Sequence, residues 1–206
     1  MIYLTRMPLE QLHRFVSAIA PLREEEWEAF SAVWQSFSCS RKTLLTAPGE
    51  TERYLYFVLE GVQRSYFSTP AGKEATLVFT YPCSFSGVAD SLLTQTPSPY
   101  GFEALTASRF LRCTYGQLLA LMQQHPAIQA LVLKATAFAL KGVLERMTEL
   151  QTAGAEEKFR ALMKRSPHLL GLVPHKYLAS YLALDATTFS KLLGSVRIGG
   201  EEKERR

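Results

Sequence analysis

Apolar residues near the start of the chain recur at helical spacing. Leu9, Leu12, Phe15, Val16 and Ile19 form one stripe, and Trp27, Phe30, Val33, Trp34 and Phe37 form a second. Met1 to about Ser40 is therefore predicted to be two helices that bury aromatic faces. Glu24, Glu25 and Glu26 open the second helix, where the helix dipole favours acids. From Arg41 to Tyr115 the pattern turns to short β-rich runs. LLTA precedes the turn Pro48-Gly49-Glu50, YLYFVLE meets VQRSYF at Gly61, and Pro70-Ala71-Gly72-Lys73 precedes ATLVFTY, which Pro82 ends. Two such runs meeting at a glycine read as a hairpin. Phe85-Ser86-Gly87 opens a looser, polar segment to Tyr100, and FEALTAS and RFLRCTY complete the set. Short strands at these intervals predict a small antiparallel barrel or jelly roll.

Helical spacing returns at Gly116. GQLLALMQQ ends near His125-Pro126, and a long helix is predicted from about residue 126 to 152. On it Leu133, Ala137, Leu140, Leu144 and Met147 alternate by four and three, the spacing of a coiled-coil seam, and are assigned to a dimer interface. Thr152-Ala153-Gly154-Ala155 is a predicted hinge. It divides a sensor domain, 1–153, from a C-terminal domain, 154–206. After the basic helix EEKFRALMKRS, the stretch VPHKYLASYLALDATTFSKLL reads as two short helices joined by a tight turn, in the spacing of a DNA-binding helix-turn-helix. Leu178, Leu182, Leu184, Phe189 and Leu192 are its apolar positions, Ala179 is small at a close crossing, Asp185 is placed to N-cap the second helix, and Gly194 to stop it.

Composition sharpens this picture. The 206 residues are 47% hydrophobic and 20% charged, which predicts a folded chain with a real core. The net charge of +4 is uneven. Residues 1–157 carry 13 Lys+Arg against 15 Asp+Glu, and residues 158–206 carry 10 against 4. A basic C-terminal end on a mildly acidic body suits phosphate-backbone binding by one end. No uninterrupted apolar run approaches the roughly 18 residues of a membrane span, and no apolar signal region opens the chain. The expectation is a cytoplasmic protein without a membrane partner. Cys39, Cys83 and Cys113 are far apart and in no ligand spacing, so no disulfide, metal or iron–sulfur site is expected. His13, His125, His168 and His175 all fall outside Arg41 to Tyr115, which speaks against a metalloenzyme barrel or haem. No nucleophile elbow, phosphate loop or zinc-protease motif occurs. The chain is expected to be no enzyme and to need no cofactor.

The order helix, small β-barrel, long dimer helix, hinge and C-terminal helix-turn-helix resembles catabolite-activator and Fnr-type transcription regulators, which carry a cyclic-nucleotide-binding domain. YLYFVLEGVQRSYF is similar to that family's strand-Gly-strand segment, Ala71-Gly72-Lys73-Glu74 to its next turn, Gly154-Ala155-Glu156-Glu157-Lys158-Phe159 to the segment after the dimer helix, and VPHKYLASYLAL to the start of its helix-turn-helix. The resemblance spans about residues 10–195. It implies an α+β fold and a homodimer on pseudo-palindromic double-stranded DNA, whose sensor barrel reorients the DNA helices.

Departures from the family bear on both sites. Cyclic-nucleotide binders of this kind place a glutamate after the loop glycine and an arginine followed by a small hydroxyl residue further on. Here Gly87 is followed by Val88, and Ser98 and Pro99 fall where the arginine and hydroxyl should be. Ser86 to Tyr100 contains no Lys or Arg and carries Asp90. A phosphate there would lack a positive partner, so a cyclic nucleotide is not the expected ligand. The pocket residues are read as Gly87, Val88, Ser98, Pro99, Tyr100 and Glu103, open to an unknown apolar or neutral effector or to none. In the reading helix, Thr187 and Lys191 stand where a Glu and an Arg are usual, and Ala183 replaces a turn glycine. The candidate DNA contacts are Lys176, Ser180, Thr187, Thr188, Ser190 and Lys191, with Lys176 on phosphate and Thr187 and Lys191 reading bases. The competing reading is a non-DNA signalling or ligand-binding module with a vestigial helix-turn-helix.

Overall fold

A computed structural model describes the backbone of residues 2–201 and the side chains of residues 7–195. The basic run Lys203 to Arg206 lies outside the described residues. Two helices, α1 (Ile2–Ile19) and α2 (Glu24–Ala32), precede eight strands: β1 (Gln35–Cys39), β2 (Leu44–Thr46), β3 (Tyr54–Glu60), β4 (Gln63–Ser68), β5 (Glu74–Thr80), β6 (Phe85–Ser86), β7 (Tyr100–Ala104) and β8 (Ser108–Thr114). Between β6 and β7 lies α3 (Ala89–Thr94); after β8 come α4 (Tyr115–Gln124), α5 (Pro126–Thr152), α6 (Ala155–Arg165), α7 (Leu169–Leu172), α8 (His175–Tyr181) and α9 (Ala186–Glu201). The strands form two antiparallel four-stranded sheets, β1-β8-β3-β6 and β2-β7-β4-β5, that close as a jelly-roll sandwich.

Four local expectations are corrected. Gly194 does not stop the last helix, because α9 runs through it to Glu201. Gln35–Cys39 is a strand paired with β8, not a helical turn. Phe37 kept the spacing of the helical stripe before it, but its ring faces the sandwich interior beside Tyr56 and Phe110. Gly61 is a corner, not a hairpin, because β3 pairs with β8 and β6 while β4 pairs with β5 and β7. Its φ of +91° turns the chain from one sheet to the other, and a Cβ there would sit 2.3 Å from the Ser108 Oγ. The segment after Gly87 is not all loop, since it winds into α3.

Strand alternation builds two cores from β3 and β8. Tyr56, Val58 and Phe110 point inward with Phe102 and Val88. Phe57, Leu111 and Cys113 point outward and are covered by Leu12, Val16, Phe30, Leu118, Ile128 and Leu131 from the helices. Burial pushes the Cys113 thiol pKa up to about 12. A third core joins Phe159, Leu162, Leu178, Leu182 and Phe189 of the C-terminal helices to Val62, Phe79 and Leu105 of the sandwich. The chain breaks helical geometry at Ala153 and Gly154, both extended, between α5 and α6.

Candidate functional site

The turn between α8 and α9 has Ala183 at φ +52°, in the left-handed region. Its N–H is donated to the Ser180 carbonyl at 3.0 Å, and the Leu184 N–H to the Ala179 carbonyl at 2.9 Å. Alanine carries a steric cost there that glycine would not. Asp185 caps α9: its Oδ1 accepts the Thr188 N–H at 2.8 Å and its Oδ2 the Thr188 hydroxyl at 2.7 Å. The Thr188 N–H holds the Asp185 carboxyl below its ordinary pKa. Leu178, Ala179, Leu182 and Phe189 are buried, as their apolar positions predict. Thr187, Ser190 and Lys191 lie exposed on α9, whereas the Thr188 hydroxyl is spent on the cap.

On α8, Lys176 is exposed but Ser180 faces the sandwich. The Ser180 hydroxyl accepts the Thr76 N–H at 3.0 Å and donates to the Glu74 carbonyl at 3.3 Å, tying α8 to β5. In this arrangement it is not presented to DNA, which corrects its place among the expected contacts. Around it lies a joint centred on Arg64, whose exposure is 1%. The Arg64 Nε donates to Glu103 at 2.6 Å, one Nη to Glu74 at 2.6 Å and the other to the Thr76 hydroxyl at 3.2 Å. Its guanidinium lies between the rings of Tyr66 (4.2 Å) and Tyr177 of α8 (3.7 Å). Phe79 packs on Tyr181, and the Arg146 guanidinium of α5 lies 4.0 Å from the centre of the same ring and donates to the Tyr181 carbonyl. Glu103 therefore belongs to this joint. It is opposite Arg64 in register, with its neighbour Phe102 pointing inward, so strand alternation removes it from the expected pocket.

The other expected pocket residues surround a carboxylate that the sequence did not flag. Glu52 is 1% exposed. It accepts the Thr46 hydroxyl at 2.7 Å and the N–H groups of Arg53, Tyr54 and Val88 at 3.0, 3.1 and 3.2 Å. The Glu52 N–H is donated to Ser91 Oγ at 3.0 Å, so the residue clamps α3 to β3. Gly87, at φ +117°, passes so close that a Cβ would lie 3.4 Å from this carboxylate. Val88 fills the interior with Tyr56 and Phe110. Ser98 is buried, its Oγ accepting the Tyr100 N–H at 2.9 Å, while Pro99 is exposed and Tyr100 packs edge-on against Phe67. Several of the loop's donors are engaged: the Val88 N–H on the Glu52 carboxylate, the Ser98 N–H on the Glu50 carbonyl at 2.9 Å and the Tyr100 N–H on Ser98. Desolvation pushes the nearby Tyr56 hydroxyl pKa well up.

Along α5, Leu133, Ala137, Leu140, Leu144 and Met147 are all exposed, from 53% for Met147 to 70% for Leu133 among the large ones. At 3.6 residues per turn they fall within an arc of about 80°. Lys134, Lys141, Glu145 and Glu149 lie on another side of the helix. One window of α5 has a mean hydropathy of 1.5 over 18 residues, so by length and composition this helix is apolar enough to cross a membrane. That corrects the reading from uninterrupted runs, which the interspersed charges had broken up. Among the described residues no group of three or more His, Cys, Asp or Glu could hold a metal ion.

Residues 37–125 match the family profile described as the cyclic nucleotide-binding domain. This stretch has the cyclic nucleotide-binding-domain fold. The wider chain is similar to FixK2 from Bradyrhizobium japonicum, with a TM-score of 0.73 and 19% identity over 82% of this chain and 86% of that one. It is similar to the c-di-GMP responsive global regulator CLP of Xanthomonas campestris, with a TM-score of 0.64 and 16% identity over 86% and 93%. It also resembles the catabolite activator protein of Thermus thermophilus, with a TM-score of 0.53 and 22% identity over 87% and 85%. No curated protein sequence matches. The likeness to solved structures runs well beyond the cyclic nucleotide-binding-type domain, and at these identities it is a likeness of fold.

Within that domain the loop between β6 and β7 carries no Lys or Arg from Ser86 to Tyr100. The one guanidinium on the interior side of β8 is Arg112, and it stacks between Phe37 (3.9 Å) and Tyr54 (4.3 Å), outside the Gly87–Tyr100 loop.

Proposed function

We propose that the chain is a Crp/Fnr-type transcription regulator that works as a homodimer on pseudo-palindromic DNA and whose sensor pocket lacks the usual cyclic-nucleotide ligands. The observation that carries this reading is the exposed polar start of α9. Asp185 caps the helix and Phe189 anchors its inner side, leaving Thr187, Ser190 and Lys191 outward on a helix of major-groove size. Lys191 and Thr187 are the base readers in this account, and Lys176 touches phosphate. Residues 158–206 supply the excess of positive charge. The hinge at Gly154 separates the sensor domain, 1–153, from the DNA-binding domain, 154–206.

The second half of the reading is the dimer. Contiguous exposed apolar surface of this extent marks an interface, and the a/d spacing of Leu133, Ala137, Leu140, Leu144 and Met147 fits a second copy of the same helix. A bilayer would surround every side of α5, and Lys134, Lys141 and Glu145 would meet lipid. A dimer covers only the apolar arc. The protein is then a cytoplasmic, non-enzymatic regulator without a cofactor.

Variants Thr187→Ala and Lys191→Ala test the proposal in a selected-duplex binding assay. A changed base preference, with parent-like folding, is the expected result. If both variants bind every sequence as the parent does, α9 does not read DNA, and the signalling-module reading takes over. That reading has one observation in its favour: α8 is held to β5 by Ser180 and to Arg64 by Tyr177.

A further inference from the structure

A cleft of about 330 Å³ opens where the turn between β1 and β2, the end of β7 and the start of α8 meet. It lies on the outside of the sandwich, apart from the interior beside Val88. Arg41 and Lys42 enter it from the sandwich and Lys176 from α8. None of these three cations forms an ion pair among the described residues. The single carboxylate in the lining, Glu103, is already held by the Arg64 Nε at 2.6 Å. Lys42 is at φ +67° and its N–H is donated to the Ala104 carbonyl at 2.7 Å, which fixes the turn that presents both basic residues. The rest of the wall is apolar or aromatic: Ala104, Leu105, Pro174 and Tyr177, whose ring already carries the Arg64 guanidinium at 3.7 Å and the Lys176 Nζ at 4.7 Å.

Unpaired like charges gathered round one concavity repel each other and concentrate anions there. Such a volume lies at the lower end of the range of small-molecule sites, about 300–1,000 Å³, and with four charged residues among the eight that line it the cleft suits a charged ligand with a small apolar part. A bare solvated patch would not need the apolar side. We propose that this cleft binds a small phosphate-bearing organic molecule. Its phosphate meets Arg41, Lys42 and Lys176, and its organic part lies against Ala104, Leu105 and Pro174. Because the cations come from both the sandwich and α8, an occupant favours the arrangement in which α8 is docked and acts on the DNA helices without entering the barrel. Differential affinity for the docked state is what such a ligand would need in order to act as an effector.

Titration calorimetry of the purified full chain, without DNA, tests this with pyrophosphate and AMP as probes at low salt. The expected result is saturable binding of at least one probe, weakened about tenfold or more by Lys176→Ala and by the double variant Arg41→Ala/Lys42→Ala, the loss expected for a charge-assisted contact. Lys141→Ala, which removes an equal charge from α5, should bind as the parent does. Absence of saturation up to about 10 mM, the limit of useful affinity, overturns the proposal, as does equal weakening by Lys141→Ala. If neither probe binds but Arg41→Ala/Lys42→Ala weakens DNA binding evenly across sequences, these two cations join Lys176 on the DNA backbone and the proposal falls. The proposal rests on the DNA reading only for its effect on the DNA helices; Lys176 is shared with the proposed DNA-phosphate contact, so the double variant Arg41→Ala/Lys42→Ala, read by probe binding without DNA, is the arm that separates the two.

Discussion

Removing the Arg64 side chain should detach the C-terminal helices from the sandwich before the rest of the protein unfolds. Arg64 is almost fully buried and bridges Glu103 and Glu74, whose side chains are 17% and 40% exposed. Truncating one partner of a buried ion pair costs about 3–5 kcal/mol, because the charge left behind is stranded. Two hydrogen bonds to charged groups at about 1.5–3 kcal/mol each give a similar figure. Glu74 can regain water, so the lower half of that range, about 3–4 kcal/mol, is expected for Arg64→Ala. The stacking of the guanidinium on Tyr177 should appear as a coupling of about 1–2 kcal/mol in a double-mutant cycle of Arg64→Met with Tyr177→Leu. Urea unfolding followed by two probes is the assay. Both tryptophans, Trp27 and Trp34, report on the packing of α2 in the helical core and not on the C-terminal helices. Far-UV circular dichroism reports on all helices. In Arg64→Ala the dichroism transition should begin at lower urea than the fluorescence transition, whereas the parent should be closer to a single step. A loss below about 1 kcal/mol, within the range of a surface ion pair, together with no coupling to Tyr177, would refute the claim that Arg64 joins the two parts.

Other outcomes follow from single features. Leu140→Asp or Leu144→Asp should shift the protein to a monomer in sedimentation equilibrium with its helix content kept; an unchanged mass would remove α5 as the seam. Ala183→Gly should raise stability by about 0.5–1 kcal/mol because it relieves a left-handed alanine, read from the urea midpoint; a loss would mean the turn relaxes in solution. Cys113 is neutral in the fold with its pKa raised to about 12, so the unfolded chain ionises first as pH rises. Its stabilising contribution is whole below the unfolded thiol pKa and declines at up to about 1.4 kcal/mol per pH unit between roughly pH 9 and 12. Cys113→Ala should flatten that decline when parent and variant are compared at pH 8 and 10.5, and an identical slope in both would contradict the burial argument.

Local pattern carried much of this architecture. The apolar positions Leu178, Leu182 and Phe189, the cap at Asp185 and the uncovered stripe from Leu133 to Met147 all rest on neighbours three or four residues apart, so a single sequence shows them. Phe37 misled because it continued the helical phase of Trp34 while belonging to a strand that pairs with β8, some seventy positions on. Gly61 announces a sharp change of direction but not which sheet receives the next strand. Two of the buried charges, Glu52 and Arg64, were illegible for a related reason. Glu52 is partnered by Val88 and Arg64 by Glu103, at separations of 36 and 39 residues. Each sits beside polar turn or strand positions that look solvated. Glu103 followed the same rule from the other side: a period of two puts it outside once Phe102 is inside. Ser180 lies on a helix of only seven residues, where the side facing β5 cannot be told from the side facing solvent until the sandwich is in place.

Dimeric reading of DNA by this chain can be measured by selecting purified protein against a randomised duplex library over several rounds at two salt concentrations. An enriched two-fold symmetric sequence, bound less tightly as salt rises, is expected. Weak binding with no enriched sequence at either salt, with and without the phosphate-bearing probes of the outer cleft, would contradict it.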